Sequence, residues 1–64
     1  VYKYKLKTKM YNTLTGKSAT IENRYSIVHV DGEIKCYTLE TVEGSYLYNI
    51  SEQVLNMYYK KEGS

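Results

Sequence analysis

Four lysines occupy every second position near the start of the chain: Lys3, Lys5, Lys7 and Lys9 alternate with Tyr2, Tyr4, Leu6, Thr8 and Met10. On an extended strand, at ~3.3 Å per residue, that spacing sets four cations along one side over roughly 20 Å. Cations in such a row neutralise phosphates, and tyrosines between them stack on bases. The chemistry is therefore that of nucleic-acid binding, with Lys3, Lys5, Lys7, Lys9 and Arg24 as phosphate contacts, Lys35 beside them, and Tyr11 and Tyr37 as stacking groups. The plainer reading is that the lysines are a solvated face that keeps an edge strand from pairing. Lys7 is also expected to face Glu22, which would partly neutralise it.

A second group on the same expected outer face is apolar: Val28, Val30, Tyr37 and Leu39, joined by Tyr46 and Tyr48 if they lie on a fourth strand. Exposed together, such residues mark a contact surface for a protein partner or a second copy of the chain. Left covered by a strand or helix, they are simply core.

Catalytic chemistry has little to work with. His29, Asp31 and Glu33 cluster at one turn, but Asp31 is accounted for by the turn and Glu33 points away from His29. Cys36 is expected to be buried, and a nucleophilic cysteine needs exposure and a lowered pKa. One Cys and one His do not make a zinc site, and no internal disulfide can form. No phosphate-binding loop, dinucleotide fingerprint or nucleophile elbow occurs. The expectation is a protein that is not an enzyme and takes no cofactor and no metal.

The elements that would position these residues follow from periodicity and turn residues. Residues 1–11 alternate as a half-buried strand. Asn12 to Lys17 reads as a hairpin loop with Gly16 supplying positive φ. Pairing Tyr11 with Ser18 then sets Met10 by Ala19, Thr8 by Ile21, Lys5 by Arg24 and Tyr4 by Tyr25. Asp31-Gly32 predicts a type I′ turn between strands 25–30 and 33–39. That turn pairs Val30 with Glu33, Ile27 with Cys36 and Tyr25 with Thr38. The expected core face is Tyr4, Leu6, Ile21, Tyr25, Ile27, Ile34 and Cys36. Glu43-Gly44 marks another turn, and 46–50 suits a short fourth strand. From about Ser51 the pattern turns helical, with Asn49 or Ser51 as cap and Lys60 and Lys61 in the last turn. A helix of roughly ten residues is not stable alone and must lie on the sheet.

The predicted fold is α+β: a three- or four-stranded antiparallel meander with one C-terminal helix packed on one face, residues 1–64 forming a single small domain. A chain of 64 residues buries little core. Small scaffolds need a staple, and here the staples that remain are oligomerisation or good packing. Nine Tyr with no Phe or Trp suit half-buried sheet positions and wet interfaces. Charge is uneven: residues 1–20 carry five lysines and no acid, whereas residues 21–57 carry six acids against Arg24 and Lys35. No apolar run approaches the ~18 residues of a membrane span, and a lone cysteine fits a reducing cytoplasm. Abundant Lys, Asn, Tyr and Ile, with AT-rich codons, point towards a low-GC bacterium or its phages and plasmids.

The expected order of three antiparallel strands and then a helix is similar to the arm-binding domains of phage and transposon integrases, which read DNA with the sheet. A four-strand version resembles sheet-plus-helix single-strand binders. Both are likenesses of architecture, and no residue carries over. The leading expectation is a module that binds DNA or RNA through the basic outer face. The alternative is a phage- or plasmid-type protein that binds and inhibits a host protein, with a homodimer as one version.

Overall fold

A computed structural model describes residues 2–63. The elements run β1 (Lys9–Asn12), β2 (Ser18–His29), β3 (Gly32–Thr41), β4 (Tyr46–Ser51), α1 (Glu52–Tyr58) and β5 (Tyr59–Lys61). They form a five-stranded antiparallel sheet in the order β4-β3-β2-β1-β5, with the short helix on one face. The α+β class is as the sequence implies, but the strand count is five.

The first hairpin has the register the loop dictates: Met10 lies opposite Ala19 and Tyr11 opposite Ser18. The Asn12 side chain accepts from the backbone of Leu14 and Thr15, and Gly16 turns at φ 74°. The side-chain bonds and the glycine conformation together hold the loop.

Upstream, the alternating segment is not a strand. β1 begins only at Lys9. The Thr8 N–H donates to the Lys5 carbonyl at 3.3 Å, Lys7 sits at φ 67°, and the chain reverses there. A lysine in the left-handed region is uncommon and costly. The burial of Tyr4 compensates. The reversal tucks it against Tyr37, ring centroids 5.7 Å apart and edge-on, with its hydroxyl donating to Asn56 at 2.6 Å.

The second hairpin also departs from expectation. His29 pairs with Gly32, Ile27 with Ile34 and Tyr25 with Cys36, two residues from the expected register. The loop is Val30 and Asp31, neither at positive φ, so the turn is not type I′; Gly32, at φ 132°, takes the unusual backbone instead. A shift of two keeps every side chain on its face.

A bulge changes that. Ile21 pairs with Leu39 but Asn23 pairs with Thr38, leaving Glu22 as an extra residue in β2. Because side chains alternate with period two, one extra residue sends everything beyond it to the other face. Ala19 and Ile21 therefore share a face with Arg24, Ser26 and Val28, and opposite them with Tyr37 and Leu39. That is the face α1 covers. The core is Tyr4, Met10, Ala19, Ile21, Tyr37, Leu39 and Leu55, with Tyr2, Ile50 and Tyr59 packed at its margin. Of the expected core, Tyr4 and Ile21 are in it. Tyr25, Ile27, Ile34 and Cys36 lie on the far face, and Leu6 is exposed at the reversal.

On that far face the Tyr25 hydroxyl bonds the side chain of Asn49 on β4 and accepts its backbone N–H at 2.9 Å. β3 lies between the two, and its Cys36 and Thr38 are buried on that side. Asn49 is at φ 58°, where β4 is irregular against β3. Asn tolerates this region better than other side chains with a Cβ.

The helix starts where Ser51 caps it, its hydroxyl accepting from the Val54 N–H at 3.2 Å. It ends after seven residues, not about ten. Tyr59, Lys60 and Lys61 form β5 against β1, with the Glu62 N–H donating to the Lys9 carbonyl at 3.0 Å. An edge with open donors and acceptors competed with the last helical turn and won. Only Leu55 is buried on the helix, so a longer helix would have added little core.

Glu22 matters as a spacer more than as a charge. Glu22→Ala should leave the urea midpoint close to wild type, because the bulge keeps its residue. Deletion of Glu22 should unfold the chain or lower the midpoint sharply, because either Ile21 or Tyr37 must then leave the core. Equal midpoints for the two variants would refute this.

Candidate interaction surface

The lysine ladder does not survive folding as one row. The Lys3 ammonium donates to Asn56 at 2.8 Å and its backbone N–H to Glu52 at 3.1 Å, so Lys3 ties the N-terminal segment to the helix. Lys7 forms an ion pair with Glu22, as the first-hairpin register implies. The pair lowers the Glu22 carboxyl and raises the Lys7 ammonium, chiefly through their hydrogen bond. Lys5 is exposed at the reversal, and Lys9 is exposed on β1.

Arg24, Lys35 and Tyr37 lie on the helix side of the sheet, which corrects their placement on an open outer face. The Arg24 guanidinium donates to the Tyr4 carbonyl at 3.0 Å and sits 5.1 Å from the Tyr2 ring centre. Lys35 reaches Glu33 at 3.2 Å and lies 6.0 Å from the same ring. Tyr37 is fully buried, edge-on to both Tyr2 and Tyr4, and has no free ring face for a base. The Glu22 bulge is the reason: it turns the Tyr37 and Leu39 face inward.

On the open face, a smaller basic group does assemble. Met10 points into the core, so Lys9 and Tyr11 point away from it, and β5 sets Lys60 directly opposite Tyr11. Sequence reasoning missed Lys60 because it read those residues as helix; a three-residue strand has too few positions to show a period.

The apolar candidates divide in the same way. Leu39 is buried with Tyr37. Val28, Val30, Tyr46 and Tyr48 are exposed, at 79%, 103%, 48% and 67%. Tyr46 and Tyr48 lie side by side on the β4 edge, ring centres 6.1 Å apart. Val28 and Val30 are on the second hairpin. β1 pairs with β2 only as far as Thr20, and β4 reaches β3 only as far as Cys36. Beyond those points the hairpin continues as two strands alone, carrying Val28, Val30 and the exposed Ile34. The long axis of the molecule, 35 Å against 21 and 19 Å, reflects this projection. Among the described residues, positions 23–29 of β2 have no strand on the side away from β3.

Shallow grooves of similar size lie in several places: about 340 Å³ at the sheet's other end, lined by Lys17, Ala19, Glu43, Leu47 and Tyr59 among others; about 370 Å³ beside Lys35 and Glu52; and about 320 Å³ at the hairpin tip, lined by His29 to Ile34. Among the described residues, no three of His, Cys, Asp and Glu gather as metal ligands. No helix among the described residues is long and apolar enough to cross a membrane.

One polar cluster is strongly perturbed, and it is internal. The Tyr37 hydroxyl donates to Glu52 at 2.5 Å and accepts the Tyr4 N–H at 3.3 Å. Burial first, and then the bond to Glu52, push the Tyr37 hydroxyl up to about 12. The same bond is the main cause that holds the Glu52 carboxyl below its ordinary value of 4.5, helped by the Lys3 N–H.

No protein-family model, curated protein or solved structure matches this chain.

The two shifts have opposite consequences. Glu52, depressed in the fold, contributes stability that is present above 4.5 and is lost as pH falls through its folded value. Tyr37, raised in the fold, contributes stability that is full below 10 and is lost as pH rises through about 12. Tyr37→Phe should cost about 1.5–3 kcal/mol at neutral pH, as a hydrogen bond to a charged group, and should flatten the acid limb. Urea unfolding followed from pH 2 to 7 checks this, and an unchanged acid limb in the variant would contradict it.

Proposed function

We propose that the chain is a binding module without catalytic chemistry, and that its contact surface for a protein partner is the projecting β2–β3 hairpin. One observation carries this reading. Val28 on the helix side, Val30 at the tip and Ile34 on the opposite face are exposed on a two-stranded arm, where the chain gains nothing for its own core from apolar side chains. Exposed apolar groups so grouped are typical of contact surfaces, and burying a Val or Ile side chain is worth about 1.5–3 kcal/mol each. The unpaired side of β2 adds backbone donors and acceptors that an extended partner segment can take up.

A photo-crosslinking residue at Val30 tests the reading in extract from the source organism. It should yield a discrete adduct that excess unlabelled chain suppresses and excess Val30→Asp chain does not. The same residue at Leu14, also well exposed on the first hairpin loop, should yield none. Adducts of equal yield and pattern from both positions would sink it.

A second reading, nucleic-acid binding, is favoured by Lys9, Tyr11 and Lys60 on the open face. Its support is narrower than the alternating sequence suggests, because Lys3 and Lys7 are held by internal partners. Anisotropy with labelled single- and double-stranded DNA and RNA separates the two readings. Three phosphate contacts would give a log–log salt slope of about −2 to −3, reduced by Lys9→Glu. Absence of binding at low salt would leave these lysines as solvent-facing charge.

A further inference from the structure

Four strand segments have an unpaired side, and they are not equivalent; one, residues 32–35 of β3, is only four long and carries Glu33 and Lys35. β5 is three residues long and carries Lys60 and Lys61. Shortness and lysines both discourage edge pairing. β4 is broken by its irregular register and by Asn49 at φ 58°, and it runs straight into the helix. A bent edge pairs poorly. Residues 23–29 of β2 are neither short nor broken; residues 2–4 touch only the side chains of Arg24 and Ser26 on the helix face, and the Asn23 side chain takes the Arg24 N–H. This segment keeps an unbroken register with β3 over all seven positions and includes one formal charge, Arg24.

We propose that this half of β2 pairs antiparallel with the same strand of a second copy, making a two-fold dimer with one continuous ten-stranded sheet. The inference rests on the reading of the hairpin as contact surface and names its partner. The strand is self-complementary in a way that can be worked out. In an antiparallel pair, residues with outward backbone groups must meet residues of the same kind. A two-fold axis must therefore pass through a residue and not between two. An axis through Ser26 keeps all seven positions paired. It sets Tyr25 opposite the second copy's Ile27, both on the open face, and an aromatic beside a β-branched side chain is a favourable cross-strand pair. It sets Arg24 opposite the second copy's Val28, whose neighbour on β3 is Glu33. No residues of like charge stand directly opposite, and Arg24 and Glu33 keep their internal partners Tyr4 and Lys35. A chain of 64 residues with seven core side chains also gains more than most from buried area.

Position 28 tests the register without disturbing the fold, because Val28 lies outside the core and its margin and is 79% exposed. Val28→Lys sets a cation opposite the second copy's Arg24 and should weaken dimerisation at least tenfold in sedimentation equilibrium. Val28→Glu, equally polar, should dimerise at least as well as wild type. The wild-type mass should approach twice the 7.5 kDa of one chain at micromolar concentrations. In a Cys36→Ala background, Ser26→Cys places two sulfurs at the axis. The Cα atoms there lie about 4.5–5.5 Å apart, within disulfide range, so mild oxidation should link most of the protein. Tyr48→Cys, on the β4 edge, should not link. A single-chain mass at every concentration, or equal loss with Val28→Lys and Val28→Glu, or equal linking at positions 26 and 48, would overturn the dimer. A monomer that still gives the competed Val30 adduct would refute this inference while leaving the binding-module reading intact; loss of that adduct with the dimer retained would do the reverse.

Discussion

The hydroxyl of Tyr37 holds three parts of the molecule together. It donates to Glu52 at the start of the helix and accepts from the Tyr4 backbone on the N-terminal segment, while its ring fills the space between them. A buried hydroxyl without partners costs free energy, so placing Tyr37 inside required both partners at once. Glu52 in turn accepts the Lys3 N–H, and Asn56, one turn on, accepts from Lys3 and Tyr4. The N-terminal segment is therefore fastened to the helix by polar bonds around an aromatic core. Phe at this position would supply the ring without the bonds. The tyrosine-for-phenylalanine composition, odd as a statistic, has a structural use here.

What the sheet presents outward depends on the bulge at Glu22. The bulge lets β2 serve two neighbourhoods with different needs. Before it, Ala19 and Ile21 face the helix side. After it, the same side carries Arg24 and Ser26, which meet the polar backbone and hydroxyl groups of residues 2–4, while Tyr25 and Ile27 go to the far face. An unbroken β2 would have put Tyr25 and Ile27 under the N-terminal segment and Arg24 in the open. The cations that alternate so regularly in the sequence are spent on internal contacts for this reason, and the exposed apolar groups gather at the hairpin tip and the β4 edge.

The helix is small and makes its contribution through few atoms. Leu55 supplies its buried side chain, Ser51 its cap, and Glu52 and Asn56 its polar ties. A seven-residue helix has no stability of its own. It exists because the sheet gives Leu55 a socket and because residues 2–4 cross beside it. Much of the chain's limited core is thus shared between elements far apart in sequence.

By itself the sequence determined much of the local structure: an antiparallel sheet followed by a helix, and the register of the first hairpin through Asn12 and Gly16 with the Lys7–Glu22 pair it implies; it offered a fourth strand at 46–50 and a cap at Asn49 or Ser51 without deciding either. Each depends on neighbours a few residues away, and periodicity or turn chemistry reports it. The tertiary structure decided which face is core, where the first strand begins, and the existence of β5. Alternation says that a strand has two faces without saying which will be covered, and one extra residue at Glu22 exchanges them. The reversal at Lys7 goes against local preference and exists only because Tyr4 finds Tyr37, thirty-three residues away. Tyr59, Lys60 and Lys61 carry no period to read, and they became a strand because β1 offered an open edge. Side-chain burial at a distance, which no window along the chain contains, set all three.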